Sequence, residues 1–302
     1  MTIWLPATLA AALFQAWRTA VQQRVRGTLS VNGAGLVRYL YGWPVALALL
    51  LGWLAWRGAP LPPLTAPMMF WAALGGLCQI LATNLLLMAF GYRNYVAGTA
   101  YAKTEAIQGA IFALLILGEK LPPLVWAGIG IGVIGVVLIS VGGEKLGAAG
   151  LLRQLGQPAA LCGLGAGALF ALTSVFVKQA SLEVASGDTI LRALVVLVTA
   201  NLAQTLMQGL YVLWREPGEM TRVFASWRVS AQVGVLAALG SACWFSAFAS
   251  APVALVRSVG QVEVIFTLLF GRFYLKEALK RSEAAGLLLI GAGVLASILG
   301  AR

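Results

Sequence analysis

The chain has 302 residues, of which 60% are hydrophobic and only 10% charged, and its mean hydropathy is +0.89. A soluble domain carries roughly 25% charged residues. The composition therefore excludes a water-exposed globular protein and fits a polytopic membrane protein, whose lipid-facing side chains need not be polar. The net charge is +11 without a single histidine. The basic residues fall between apolar runs, as the positive-inside bias places them, so no nucleic-acid partner is expected.

A spanning helix needs about 20 mostly apolar residues. Ten such runs follow one another at 3–22, 33–56, 67–91, 95–117, 123–142, 157–180, 187–214, 230–250, 253–275 and 281–300. The longest connections, 57–66, 143–156 and 215–229, are too short for a soluble domain. Met1 to Pro6 carry no positive charge, and the apolar stretch after them reaches Arg18 without a small-residue cleavage pattern, so the first run is expected to be a mature helix. Cys78, Cys162 and Cys243 lie far apart inside apolar runs and are expected to be small buried hydrophobes, with no disulfide and no metal site. Histidine is the commonest metal ligand and general base. Its absence argues against an enzyme, and no cofactor is expected.

Loop charges predict an orientation. Connections after odd-numbered runs carry Arg24, Arg26, Arg93, Lys145, Arg153, Arg215, Arg222, Arg228, Arg272, Lys276, Lys280 and Arg281. Those after even-numbered runs, with the tail, carry Arg57, Lys120, Lys178 and Arg302. The first set is expected to face the cytoplasm, with both termini outside.

An internal repeat organises the chain. At an offset of 158, Glu105 falls on Glu263, Glu119 on Glu277, Ala127-Gly128 on Ala285-Gly286 and Gly135-Val136 on Gly293-Val294. At an offset of 156, Leu13-Phe14 falls on Leu169-Phe170 and Gln23 on Gln179. Only ten acidic residues exist, so two glutamates at the same spacing are not a coincidence of apolar composition. The chain is expected to be all-α, with one five-helix repeat in 1–145, a linker at 146–156 and a second repeat in 157–302. Five is odd, so the repeats must insert with opposite topology. Inverted repeats of this kind bind substrate near the midplane between the halves.

The candidate site residues lie on the fourth run of each half. An ionisable side chain at a helix centre costs about 2.5–3.5 kcal/mol and usually faces a cavity or a partner. Glu105 and Glu263 sit near the middle of runs four and nine and are the candidate proton-coupling carboxylates, with a structural ion pair as the alternative. Lys103, two residues before Glu105, should point to another face on a regular helix. Gln108 shares the face of Glu105. Arg257 and Gln261 share a face, with snorkelling to the interface as the other reading of Arg257. In run seven Asn201, Gln204, Thr205 and Gln208 recur at i, i+3, i+4 and i+7, a single face. Asn84 and Gln15 are candidates to join them, either lining a wet cavity or linking helices by hydrogen bonds. The substrate-binding set is thus Lys103, Glu105, Gln108, Arg257, Gln261, Glu263, Asn84, Asn201, Gln204 and Gln208.

Arg18, Arg38, Lys178 and Arg192 lie near run ends, where snorkelling is the default; Arg18 and Arg38 would form a basic vestibule if they faced inward. Trp4, Trp43, Trp53, Trp56, Trp126, Tyr92 and Tyr95 fit an interfacial aromatic belt. Trp17, Tyr101, Trp244 and Phe245 are close enough to the polar residues to shape a site, or to pack the core. Gly130, Gly132 and Gly135 match the dinucleotide fingerprint, but that motif needs a strand before it. Here it lies within an apolar helix, and Gly128 with Gly132, like Gly163 with Gly167, fits a small-residue packing face.

The turn LGEKLPP at 117–123, its counterpart LKEAL at 275–279, and the helices WAGIGIGVIGVVLIS and EAAGLLLIGAGVLAS that follow resemble the EamA-like family of the drug/metabolite transporter superfamily. Lys276 stands where that family typically has glycine. The resemblance covers the whole chain and implies a secondary transporter working by alternating access. It also implies that helices one to four and six to nine surround the cavity while helices five and ten pack outside it. The expected function is transport of a small polar metabolite, amino-acid-like or an organic anion, across the cell inner membrane. A flippase for a small-headgroup lipid is the alternative. The duplicated chain holds both halves of a site, so a monomer suffices and a homodimer is equally compatible.

Overall fold

The computed structural model describes residues 3–25, 27–92, 101–141, 156–273 and 281–301. Among them every regular element is helical: α1 Trp4–Val25, α2 Val31–Leu40, α3 Gly42–Arg57, α4 Ala66–Tyr92, α5 Glu105–Leu117, α6 Pro123–Val141, α7 Pro158–Leu182, α8 Thr189–Arg215, α9 Glu219–Ala225, α10 Trp227–Ser250, α11 Val253–Gly260, α12 Glu263–Phe273 and α13 Arg281–Gly300. Six stretches among the described residues are long and apolar enough to cross a membrane: Val31–Arg57, Ala66–Tyr92, Pro158–Leu182, Thr189–Arg215, Trp227–Ser250 and Val253–Phe270. Shorter apolar helices cover Glu105–Leu117, Pro123–Val136 and Ala285–Gly300. Tyr95, Glu277, most of the 146–156 linker and the loop cations Arg26, Arg93, Lys145, Arg153, Lys276, Lys280 and Arg302 lie outside the described residues.

Three of the continuous runs expected from sequence are interrupted. Run two breaks at Tyr41 into α2 and α3. Pro44, in the first turn of α3, has no N–H to offer the carbonyl four residues back, and its ring crowds that carbonyl. Run nine breaks at Gln261-Val262 between α11 and α12, and run four turns at Lys103-Thr104 before α5. Both of these turns use the tighter i→i−3 pattern. Ala106 N–H donates to Lys103 O (3.3 Å) and Ile107 N–H to Thr104 O (3.1 Å); Val264 N–H donates to Gln261 O (3.0 Å) and Ile265 N–H to Val262 O (3.0 Å). Three-residue turns inside a helix mark hinges or functional sites. These two fall 158 positions apart (261 − 103), the offset of the sequence repeat. The 215–229 connection also holds the short helix α9, which hydropathy alone does not reveal.

The exterior is apolar, as hydrocarbon requires: Leu115, Phe273 and Leu288 are each more than 70% exposed. The interior is built from small residues that let backbones approach. Equivalent helices of the two halves cross antiparallel. Gly128 of α6 meets Gly293 and Ser297 of α13, whereas Gly135 meets Gly286 and Ile290. Likewise Gly35 of α2 lies against Gln208 of α8, Gly42 against Asn201, and Trp53 of α3 bonds Asp188, which caps α8. The Gly128–Gly132 stretch is thus a helix-packing face and not a nucleotide loop. The three cysteines are free, Cys78 buried and the others half-buried.

Candidate functional site

The two interrupted spans meet where they break. Glu105 and Glu263 are the first residues of α5 and α12, so each carboxylate sits in the first turn of a helix, where the macrodipole favours negative charge. Lys103, in the turn before α5, places its Nζ 2.6 Å from Glu263 Oε2 and 3.4 Å from Glu105 Oε1. The sequence-based expectation that Lys103 and Glu105 point to different faces is therefore corrected. It assumed a regular helix, and the three-residue turn removes that geometry.

Arg257 on α11 completes the cluster and does not snorkel. Its Nη1 donates to Glu105 Oε1 (3.1 Å), its Nη2 to Phe170 O (3.0 Å), and its Nε to Ser174 Oγ on α7 (2.7 Å). The guanidinium lies 5.1 Å from the ring centres of both Trp244 and Phe248 on α10, within cation–π range. Gln15 of α1 donates to Glu263 Oε2 (2.7 Å) and accepts from Trp244 Nε1 (2.9 Å). A continuous chain, Gln15–Glu263–Lys103–Glu105–Arg257–Ser174, thus crosses between the two halves. All four charges are at most 6% exposed, so solvent does not screen them.

More positive charge lies beside this chain. Arg18 and Arg38, expected at the interface, are 3% and 4% exposed and line one crevice with Gln15. Arg38 Nη1 also donates to Thr83 Oγ1 (2.9 Å). Among the described residues, four buried cations (Arg18, Arg38, Lys103, Arg257) stand near two buried carboxylates (Glu105, Glu263), a formal charge of +2. The cavity bounded by Gln15, Arg18, Thr19, Lys103, Glu105 and Glu263 measures about 10 Å³. That is space for roughly one water molecule. Metabolite sites run to several hundred Å³, so the conformation is closed around its own ion pairs.

Other residues singled out by sequence fall elsewhere. Gln108 donates to Thr104 within its own helix (3.2 Å). Gln261, the counterpart of Lys103, is 2% exposed and turns toward Gly132 of α6, away from the carboxylates. Asn201, Gln204 and Gln208 are buried but serve a separate network. Gln204 Nε2 donates to Gln79 Oε1 (2.7 Å) and Gly76 O (3.1 Å) of α4; Gln208 Nε2 donates to Asn32 O (3.0 Å) and Asn84 Oδ1 (3.3 Å). Asn201 lies against Gly42. Trp17 stacks on Phe270 at the outer surface and is 43% exposed, so it does not shape the site; Trp244 does. Lys178 is held by Glu119 (2.6 Å) and by Ala251 O (2.8 Å), while Glu119 also accepts from Val253 N–H (2.8 Å) at the start of α11.

Sequence reading missed the depth of α1. Gln15, Arg18, Thr19 and Gln22 recur at i, i+3, i+4 and i+7, the same stripe as on α8, and that signal was present in the sequence. It also explains why α1 is absent from the strongly apolar stretches. Ser174 carried no such signal, because a lone serine in an apolar helix is ordinary.

Long apolar helices around a buried charged cluster define a multi-pass integral membrane protein. The model of the EamA-like transporter family matches this chain twice, over residues 2–141 and 157–299, and the chain belongs to that family. The solved structures include a crystal structure of a protein 18% identical, matching with a TM-score of 0.70 over 97% of this chain and 96% of that one, which shows a shared fold. No curated protein matches.

Proposed function

We propose that the protein is a secondary active transporter of a small polar metabolite, amino-acid-like or an organic anion, working by alternating access across the cell inner membrane. The observation that carries this reading is the sharing of Lys103 between Glu105 and Glu263, one carboxylate from each half, at the turns that interrupt both fourth spans. Discontinuous helices at the midplane are where transporters bind substrates and coupling ions. The antiparallel crossing of equivalent helices supports ten spans in two inverted repeats. Both halves of the site lie in one chain, so the monomer is the transporting unit, whether or not it pairs.

In this reading the glutamates occupy the cations until substrate arrives. A substrate carboxylate or phosphate takes Lys103 and Arg257, with Arg18 and Arg38 adding attraction for anions. Glu105 and Glu263, released from those cations, accept protons and carry the coupling. Gln108, Gln261 and the α8 amides hold the surrounding helices in register. Rocking of one half against the other then moves the site between the two faces.

The test is flux into proteoliposomes of purified protein, using amino acids, organic anions and phosphorylated metabolites, with and without a pH gradient. Saturable, gradient-dependent flux of an anion or zwitterion is expected. Glu105→Gln and Glu263→Gln should each abolish or uncouple it while the protein still folds. Wild-type flux with unchanged pH dependence in both variants would remove the role assigned to these residues.

A further inference from the structure

Polar bonds tie α7 to α10 and α11 at two levels. At the deeper level, Arg257 of α11 donates to Ser174 Oγ (2.7 Å) and Phe170 O (3.0 Å) of α7. One turn farther along α7 lies Lys178, whose Nζ meets Glu119 Oε1 (2.6 Å) and donates to Ala251 O (2.8 Å), just past the end of α10. Glu119 Oε2 accepts from the N–H of Val253 (2.8 Å), the first residue of α11 and one turn before Arg257. A single carboxylate of the first half, on the turn after α5, thus clasps the ends of three helices of the second.

The two levels differ in depth. The Lys178 and Glu119 side chains are 16% and 12% exposed, whereas Arg257 and Ser174 are buried, so the clasp meets the outside and the charged cluster does not. Four residues of helix, about 6 Å, separate Lys178 from Ser174 and Val253 from Arg257. The opposite end, where Ser30 and Asn32 bond Glu216 beyond α8, is thicker: α1 runs seven residues past Arg18 to Val25, about 10 Å. The levels also differ in strength. A partly exposed ion pair contributes little, and a buried charge deprived of its partners loses much more. With Arg257 on α7 the seam is held twice; with Arg257 drawn onto an anion, only the weaker clasp remains.

We infer that Glu119 and Lys178 are the gate over the charged cluster, shut while Arg257 bonds α7 and released when a substrate anion takes Arg257. The second clause rests on the transporter reading above; the closure of this end by the clasp does not. Glu119 is a positioning residue in this role. Its carboxylate sits at the N-terminus of α11, where the macrodipole favours it, so it fixes the start of the helix that carries Arg257. Opening the gate therefore moves α11 and the site cation together.

The test reads access to the site. In the full chain with Cys78, Cys162 and Cys243 replaced by alanine, Ser174→Cys places one thiol beneath the clasp. A membrane-impermeant anionic methanethiosulfonate is then applied to sealed right-side-out and inside-out vesicles. The parent should label slowly from both sides. Lys178→Met and Glu119→Gln should each raise the rate about fivefold, the upper end for a partly exposed pair, and from the same single side. Glu119→Ala, which also releases Val253, should raise it further, and Arg257→Gln should raise it on that side with the clasp intact. The exchange Glu119→Lys with Lys178→Glu restores the pair and should return part of the protection, which loss of fold would not allow. Unchanged labelling in both single variants, or a rate raised equally from both sides and not lowered by the exchange, would overturn the inference. Failure of flux with one-sided opening intact would instead remove the transporter reading and leave the gate.

Discussion

The turns that interrupt the two fourth spans share a backbone pattern and a closing glutamate, and they part company at their first side chain. At 103–105 a lysine reaches into the cluster and holds both glutamates; at 261–263 the equivalent position carries Gln261, which turns away to α6. A fold with two repeated halves has therefore built a site that is not symmetric. The reason is electrostatic. A buried ion needs a partner, and removing one partner strands the other. Two carboxylates already have Lys103 and Arg257, so a further cation at position 261 would face only the glycine seam of α6.

Exchanging the side chains at those turns gives the largest expected effect. Lys103→Gln makes the first position of that turn like the second's and strands Glu263, while Glu105 keeps Arg257, costing about 3–5 kcal/mol. Denaturation in detergent measures it, and adding Glu263→Gln should restore part of the loss. Full additivity of the two changes would show that the residues do not interact. The reverse exchange, Gln261→Lys, places an unpaired charge against α6. It should cost about 2.5–3.5 kcal/mol without gaining any bond to Glu105, and an unchanged melting temperature would contradict the orientation of Gln261.

Smaller changes sharpen the packing side of the comparison. A methyl group on Gly128 would sit 2.6 Å from the Gly293 carbonyl, where backbone cannot yield; one on Gly132 meets the amide end of Gln261. Overpacking costs about 1–3 kcal/mol, with Gly128→Ala expected at the upper end and Gly132→Ala at the lower. Gln261→Ala should rescue Gly132→Ala and leave Gly128→Ala uncorrected.

The smallest effect lies at the membrane edge. Asp188 caps α8 by accepting from Ile190 N–H (2.9 Å) and Leu191 N–H (3.1 Å), and it also takes Trp53 Nε1 (2.9 Å). Burial pushes its carboxyl up, but the Trp53 N–H, the Leu191 and Ile190 N–H groups and Arg57 outweigh that and hold it below the usual carboxylate range. A depressed carboxyl stabilises the fold above its unfolded value, and that contribution is lost as pH falls through the folded one. Asp188→Asn keeps a good helix cap. It should cost under about 1 kcal/mol at neutral pH and flatten the acid side of the stability profile.

Much of the candidate site was legible. Glu105 and Glu263 stood out because acidic residues are scarce and these two are spaced by the repeat. The polar stripe on α8 was legible from its period, but period alone does not say what a stripe touches. Asn84, Gln204 and Gln208 belong to the hydrogen-bonded seam between α4 and α8 and not to the charged cluster. Arg18, Arg38 and Arg257 resembled interfacial residues because distance along the chain from a span end was the only depth gauge. In the folded chain the helices around them keep all three buried.

The lipid solvent, the helical class, the duplication and the two central carboxylates all follow from the order of residues alone. Composition, period and repeat are properties of the chain, and lipid leaves a helix few alternatives. The tertiary structure decided where the helices break, and with that which charges meet. A three-residue turn at Lys103 and another at Gln261 rotate neighbouring side chains onto new faces. That rotation depends on backbone hydrogen bonds that no hydropathy pattern records.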